Sequence, residues 1–394
     1  MSLPPEILEK ILLVVQYQAD PSRRGPVLAS LALVCKEWLP EVRRALYQSL
    51  YLGNRWTTPA HTMTLLVRTL STSPSLASLV REVDAHRSQG LGRYTLFVLA
   101  EAITLCPNIR RLKVHTTGYH DDEKDALLHA LRSCSSLEHL KLTMLSLDLE
   151  DKASFTIDEL WNMLQSWPQI AYINVGSSMG PSVTPPDRAV VPSIVCSHLR
   201  QFSTGIRLDD AQLVTLSHVA PSLSELETVC HPTRMTDHGL GAALRIWTPT
   251  LAILRLTPTQ FQDGPSYPHH AMGGFDAYTI SSVISSLEAV QILEVPADYI
   301  QPQHLSRRLK KLTHLTYNCM RDAFASGLLT ALDQDDTLLA LRVLTLPTAH
   351  FDGAAADSGA WRRVDWDPSL RRALKAVCET RGIRLYFEGT GGYF

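Results

Sequence analysis

Residue types that perform chemistry are present in this chain, but their spacing suits few reactions. The adjacent His269 and His270 have Asp263 and Asp276 nearby and could ligate a metal ion. Neighbouring residues on a chain seldom point the same way, however, and exposed loop histidines are far commoner than ligands. Gly389-Thr390-Gly391-Gly392 follows a strand-like stretch with no helical pattern after it, so it lacks the helix N-terminus that a phosphate loop needs. Asp121-Asp122-Glu123 precedes the apolar run Ala126 to Leu131, where acid complements a helix dipole. The patterns of a P-loop, a GxSxG elbow, an HExxH helix and paired CxxC are all missing. Of the seven cysteines, Cys106, Cys134 and Cys196 each stand three residues before an apolar anchor, Ile109, Leu137 and Leu199. That common phase fits a small buried apolar group, and the spacing argues for reduced thiols rather than disulfides. The expectation is a protein without catalytic residues, metal or cofactor.

What the spacing does support is binding. Pro4 and Pro5 suit a first helical turn, and Ile7, Leu8, Ile11, Leu12 and Val15 then recur on one side of a helix. Asp20, Pro21, Gly25 and Pro26 break that pattern, a second apolar stretch runs from Val27 to Cys35, and Trp38 leads into a third helical segment from Pro40 to about Tyr51. Three short helices cannot bury all these side chains among themselves, so a partner surface is implied.

From residue 80 onward one phrase recurs: apolar, two variable, apolar, one variable, apolar. It is clear in Ile109-Leu112-Val114, Leu137-Leu140-Leu142, Ile170-Ile173-Val175, Leu251-Leu254-Leu256, Val290-Leu293-Val295 and Leu341-Leu344-Leu346, and weaker from Val80, Leu199 and Ile383. The period averages about 30 residues, in the range of leucine-rich repeats. The end of each phrase alternates as a strand does, and the stretches between phrases have helical periodicity, as in Ile157, Leu160, Trp161 and Leu164 or Leu240, Leu244 and Trp247. No such unit can bury its apolar face alone. Stacking gives an α/β fold, a curved leucine-rich-repeat-like solenoid with parallel strands inside and helices outside. The Asn or Cys usual after the third anchor is replaced by unrelated residues such as Thr117, Leu145 and Arg207, so the repeats are irregular.

The first 50 or so residues resemble the F-box, in the version common in fungal proteins that carry leucine-rich repeats after it. Leu3, Pro4, Ile7, Leu8 and Ile11 match the family's opening motif, and Leu33, Val34, Cys35 and Trp38 its second; Pro5 and Leu12 complete the docking set. The connection Gln16 to Ser30, with Arg23 and Arg24 in it, is longer and more basic than usual. The resemblance implies a non-enzymatic subunit that docks the Skp-family adaptor, and through it the cullin, of a cullin–RING ubiquitin ligase, while the repeats choose the protein to be ubiquitylated. On this reading residues 1–52 form the F-box-like module, 53–78 a linker or capping helix, and 79–394 the irregular repeat domain. The alternative is a free-standing repeat scaffold or inhibitor whose N-terminal helices only cap the solenoid.

Composition narrows the partners. The 394 residues carry 37 Lys plus Arg against 39 Asp plus Glu, and 45% apolar residues, so a folded protein without an electrostatic preference for nucleic acid is expected. No run approaches the ~20 apolar residues of a membrane helix, and Pro-Pro-Glu stands where a signal peptide would have a basic start, so a cytoplasmic or nuclear protein is expected. Strand-centre positions read Asp84, Lys113, Lys141, Asn174, Ser203, Glu227, Arg255, Glu294, Thr316, Thr345 and Phe387. Lys113, Lys141, Asn174, Glu227, Arg255 and Glu294 are the candidate target-binding residues, on a strand wall expected to be concave. With Arg110 and Arg111 the row starts basic, and with Glu225 it turns acidic. Long Pro- and Gly-rich segments, Gly176 to Val195, Thr257 to Asp276 with Tyr267 and His270, and Pro347 to Pro368, should emerge beside this wall as loops.

Overall fold

A computed structural model describes residues 4–18, 21–52, 60–86, 95–117, 121–145, 156–177, 195–230, 235–258, 283–296, 300, 305, 309–317, 322–334, 338–347, 349–352 and 362–388. They fall into two compact units, Met1–Thr184 and Pro185–Phe394.

In the first unit, α1 (Pro5–Gln18), α2 (Pro21–Ala32) and α3 (Leu39–Gln48) precede β1 (Ser49–Leu52), α4 (Ala60–Thr72), α5 (Pro74–Ala77), β2 (Glu82–His86), α6 (Thr95–Leu105), β3 (Arg111–Thr117), α7 (Asp121–Arg132), β4 (His139–Leu145), α8 (Ile157–Leu164) and β5 (Tyr172–Ser177). The strands pair in chain order, all parallel. In the second unit, β6 (Gln201–Arg207), α9 (Asp210–Val219), β7 (Glu225–Cys230), α10 (Asp237–Trp247), β8 (Ile253–Pro258), β9 (Ile292–Val295), β10 (His314–Tyr317), α11 (Asp322–Asp333) and β11 (Val343–Pro347) lead to β12 (Ala349–Asp352), β13 (Arg362–Asp365), α12 (Pro368–Thr380) and β14 (Arg384–Glu388). Here too the order is parallel, β6 to β11 and then β14. Strand–helix units thus stack in each unit, the arrangement of a solenoid.

The register follows the apolar phrase. Leu112, Leu140 and Ile173 are aligned across β3, β4 and β5, and Leu226, Leu254 and Leu293 across β7, β8 and β9; all are fully buried. Their neighbours along each strand face the other way and stay half-exposed or exposed. The carbonyl before each of β2, β3, β4, β6, β7, β8, β9 and β10 accepts two amides of the next repeat: Arg110 O takes Glu138 N–H (2.8 Å) and His139 N–H (2.9 Å), and Ser224 O takes Ala252 N–H (2.8 Å) and Ile253 N–H (3.0 Å). The backbone makes these bonds, so any residue type serves there, and side chains such as Arg110 and Ser224 have nothing in common.

Tryptophans and caps tie successive repeats. Trp167 Nε1 donates to Leu131 O at the end of α7 (2.9 Å), and Trp247 Nε1 to Ala220 O after α9 (2.8 Å), each adding a second donor to a carbonyl that also accepts a backbone N–H, from Cys134 and Leu223 respectively. Thr156 and Glu159 form a capping box on α8, and Asp209 and Gln212 one on α9. Asp210 reaches across to α10, accepting from Thr236 N–H (2.7 Å) and Thr236 Oγ1–H (2.5 Å). Only glycine at position 239 leaves room for this, since a Cβ there would overlap the Asp210 side chain.

Four local expectations are corrected. Pro21 opens α2, but Gly25 and Pro26 do not delay the helix to Val27 and instead lie inside it, because Leu28, Leu31 and Ala32 fall on a face packed against the module core, which outweighs the N–H that Pro26 lacks. The third helix ends at Gln48, and Leu50 and Leu52 instead alternate toward the core as β1, aligned with Val83 and Ala85 of β2. The segment from Pro347 to Pro368 is not loop throughout, since β12 and β13 pair as an antiparallel hairpin. In β14 the strand-centre position belongs to Tyr386, not Phe387. Gly382 leaves α12 with φ +68°, and the approach to the strand is one residue shorter than in the other repeats, so Leu385 aligns with Leu344 and Tyr386 with Thr345. Phe387 turns inward, edge-on to Trp366 at 5.7 Å and under the Arg371 guanidinium at 4.3 Å. The segments 178–194 and 259–282, with Tyr267, His269 and His270, lie outside the described residues.

Candidate functional site

Two surfaces carry the candidate residues. On α1 the apolar positions form two stripes at helical spacing. Leu8 and Leu12 face inward and build a small core with Leu28, Val42 and Ala45, against which Val15, Leu31, Ala32, Trp38 and Leu46 pack. Ile7, Ile11 and Val14 form the adjacent stripe; Ile7 is 40% exposed and Val14 51%. Beyond α2, Leu33 is 87% and Val34 59% exposed in a turn made by Leu33 N–H to Ser30 O (3.1 Å) and Val34 N–H to Leu31 O (3.2 Å). Pro4 is exposed and accepts from Ile7 and Leu8 N–H (3.0 and 3.3 Å), Pro5 opens α1, and Cys35 is half-buried. Leu3 lies outside the described residues. The candidate residues thus divide: Leu8, Leu12 and Trp38 hold the helices together, while Ile7, Leu33 and Val34 present apolar surface, with Ile11 between the two.

On the strand face the register brings the expected centre row together within each unit. Asp84, Lys113, Lys141 and Asn174 stand side by side on β2 to β5, and Ser203, Glu227, Arg255, Glu294, Thr316, Thr345 and Tyr386 on β6 to β14. Lys113 Nζ is paired with Glu82 (3.7 Å) and Asp84 (3.6 Å), so its charge is locally balanced. Lys141 is exposed and has no ionic partner among the described residues. Asn174 Nδ2 donates to the Tyr172 hydroxyl (3.2 Å), whose ring lies 5.9 Å from that of His139. In the second unit Arg255 sits between Glu225 (2.6 Å) and Glu294 (3.6 Å), and Glu227 accepts from Ser203 Oγ–H (3.0 Å).

Arg111 and Glu225, which contribute to the charge trend along the strands, stand in a second row one position before the middle anchor. In the first unit it is polar, Glu82, Arg111, His139 and Tyr172; in the second it reads Gln201, Glu225, Ile253, Ile292, His314, Val343 and Arg384, with the two isoleucines side by side at its middle. Aligning the repeats by their anchors would have exposed this change. Also unread was the ion pair between buried Lys124 and Glu159 (2.9 Å), which joins α7 to α8. No period marks it, since Lys124 stands in an acidic run that looks like a solvated helix start.

Among the described residues no group of three His, Cys, Asp or Glu is placed to hold a metal ion, and no helix is long and apolar enough to cross a membrane. Burial pushes the Cys106 and Cys134 thiols up to about 12, and those of Cys196 and Cys378 up to about 11, from 9.0. These groups stay protonated in the folded chain while the unfolded chain ionises above pH 9, so unfolding then releases protons and stability falls as pH rises from 9 toward 12. Thermal unfolding midpoints should therefore drop above pH 9, and less steeply for Cys134→Ala. In alkylation mapped by mass spectrometry, half-buried Cys35 should react well ahead of Cys106 and Cys134. No protein-family model matches the chain, and comparison with curated proteins gives no significant match.

Proposed function

We propose that the chain is the non-catalytic substrate-recognition subunit of a Skp–cullin–F-box type ubiquitin ligase, working in the cytosol or nucleus. The N-terminal helices dock a Skp-family adaptor and, through it, the cullin; the strand face takes a target protein. The observation that carries this reading is the double stripe on α1. Leu8 and Leu12 already complete a core with α2 and α3, yet Ile7, Ile11 and Val14, with Leu33 and Val34 nearby in sequence, keep a further apolar surface. Apolar surface in excess of what a module can bury marks an interaction site. A helix serving only to cap the repeats would bury this second stripe on them, whereas α1 packs chiefly on α2 and α3, and it is α3 that reaches β1 and α5.

Co-purification with a Skp-family adaptor tests this reading. Ile7→Asp/Ile11→Asp should weaken capture at least about 30-fold, the equivalent of ~2 kcal/mol for a truncated anchor, without changing the melting of the repeats. Trp38→Ala is less diagnostic, because Trp38 also packs on the module's own core. Undiminished capture by the double variant would remove the F-box assignment. On the target side, Lys141→Glu should weaken capture of an acidic target more than Lys113→Glu, whose site already holds Glu82 and Asp84.

A further inference from the structure

The strand face of the second unit differs in kind from that of the first. Ile253 and Ile292 are register partners on β8 and β9, both half-buried, on the face opposite the core anchors Leu254 and Leu293. Adjacent strands lie ~4.8 Å apart, so the two side chains form one apolar spot. Carboxylates border it, with Glu225 beside Ile253, Glu227 diagonal to it and Glu294 two residues beyond Ile292, while His314 is the register partner of Ile292 on its other side. Among the described residues the guanidinium set against these three is Arg255, which pairs with Glu225 and Glu294 and stands in register between Glu227 and Glu294. Glu227 is bonded to a hydroxyl, Ser203 Oγ, and among the described residues no cation reaches it. The row therefore combines an apolar seat with an excess of negative charge.

A docked segment must satisfy both features. An acidic segment would meet like charges at Glu227 and Glu294, and a purely apolar one would desolvate these carboxylates without replacing their water. A segment with an apolar side chain between lysines or arginines fits both. Glu227 and Glu294 lie in one row two residues, ~6.6 Å, beyond the isoleucines, with Arg255 between them, so cationic side chains next to an anchor over Ile253 and Ile292 can reach both carboxylates.

We propose that this half of the strand face binds a cationic segment of the target protein, one apolar side chain seated on Ile253 and Ile292 and flanking lysine or arginine side chains paired with Glu227 and Glu294. The proposal rests on the target-receptor reading above and specifies the class of target it takes.

Fluorescence anisotropy with the full chain tests it. The probe is a short labelled peptide of Lys, Arg and Leu, compared with the same peptide carrying Glu for Lys and Arg, and with one carrying Ser for Leu. Both replacements should bind at least about tenfold more weakly, and binding of the first peptide should fall as salt rises. Glu227→Lys and Ile253→Ser/Ile292→Ser should each reduce affinity about tenfold, with Glu227→Gln giving a smaller loss in case the reversal perturbs folding. Glu101→Lys/Glu288→Lys, on exposed positions outside the patch, should leave binding unchanged. Equal loss in that control, equal binding of the Glu peptide, or full binding by folded Glu227→Lys would overturn the proposal. Adaptor capture is read separately. Capture without peptide binding overturns this inference alone, whereas peptide binding without capture overturns the ligase reading and leaves the cationic-segment site standing.

Discussion

Replacing Leu254 with Ala is expected to lower stability by about 2–5 kcal/mol, as is Leu140→Ala in the first unit and Leu344→Ala near the last strand. Each side chain is fully buried as the middle anchor of its phrase, flanked in register by other anchors: Leu140 by Leu112 and Ile173, Leu254 by Leu226 and Leu293, Leu344 by Leu315 and Leu385. Truncation leaves a cavity that parallel strands, held by the ladder on both sides, cannot close. Ile253→Ala, one residue along the same strand, should cost far less, because that side chain lies half-exposed on the other face. The contrast checks the register itself, since a slip of one residue exchanges the two faces. Stacked repeats contact mainly their neighbours, so the loss should be local. Denaturant unfolding read by hydrogen exchange would show protection falling first in the repeat that carries the substitution. Equal cost at Leu254 and Ile253 would contradict the strand assignment.

Lys124→Ala should destabilise the first unit by about 3–5 kcal/mol, more than an exposed ion pair could explain. Lys124 is buried, and its Nζ lies 2.9 Å from Glu159 Oε1, while Glu159 Oε2 accepts the Thr156 N–H at 2.8 Å in the capping box of α8. The two carboxylate oxygens thus hold different partners. Removing the ammonium leaves a partly buried carboxylate unbalanced and loosens the start of α8 as well as its contact with α7. Lys124→Met keeps most of the side-chain volume and isolates the charge effect. Combining it with Glu159→Gln, whose amide oxygen can still accept from Thr156, should recover most of the loss, because a neutral pair carries no uncompensated charge. A double-mutant cycle by urea denaturation measures the coupling. Additive costs would mean that the pair contributes through packing alone. The exposed pair Lys375 and Glu379, at 3.7 Å along α12, supplies the comparison, and its removal should change stability by less than about 1 kcal/mol.

The candidate surfaces also differ in what sustains them. Each apolar side chain on the outer stripe of α1 sits one position from a core residue, Ile7 beside Leu8 and Ile11 beside Leu12. A small rotation of α1 would exchange their roles, so this exposed apolar stripe depends on the packing of Leu28, Val42 and Trp38 beneath it. The strand face is less sensitive. Within each unit its side chains are carried by a parallel ladder whose alternate residues face the core, and substitution of an exposed member leaves that ladder intact.

Much of this architecture was legible from residue order. The recurring phrase placed Leu112, Leu140, Leu254 and Leu344 in the core, and period two along the strands then determined that Lys113 and Lys141 in the first unit, and Glu227, Arg255 and Glu294 in the second, face away from it. Helical spacing placed Ile157, Leu160, Trp161 and Leu164 on the buried side of α8. These features are local, because they follow from the geometry of one strand or one helix. Tertiary structure decided the rest. Pro26 stays within α2 because Leu28 and Leu31 have a core to join, and Leu50 leaves the helical pattern because β2 offers a strand to pair with. Phe387 turns inward because the left-handed Gly382 shortens the approach to β14 by one residue. Which cations remain unpaired was likewise undetermined by order alone, since Lys113 meets Glu82 and Asp84 from a neighbouring strand about 30 residues away in sequence. The same holds for the seat made by Ile253 and Ile292. Each isoleucine is unremarkable in its own repeat, and only the pairing of β8 with β9 makes them a single surface.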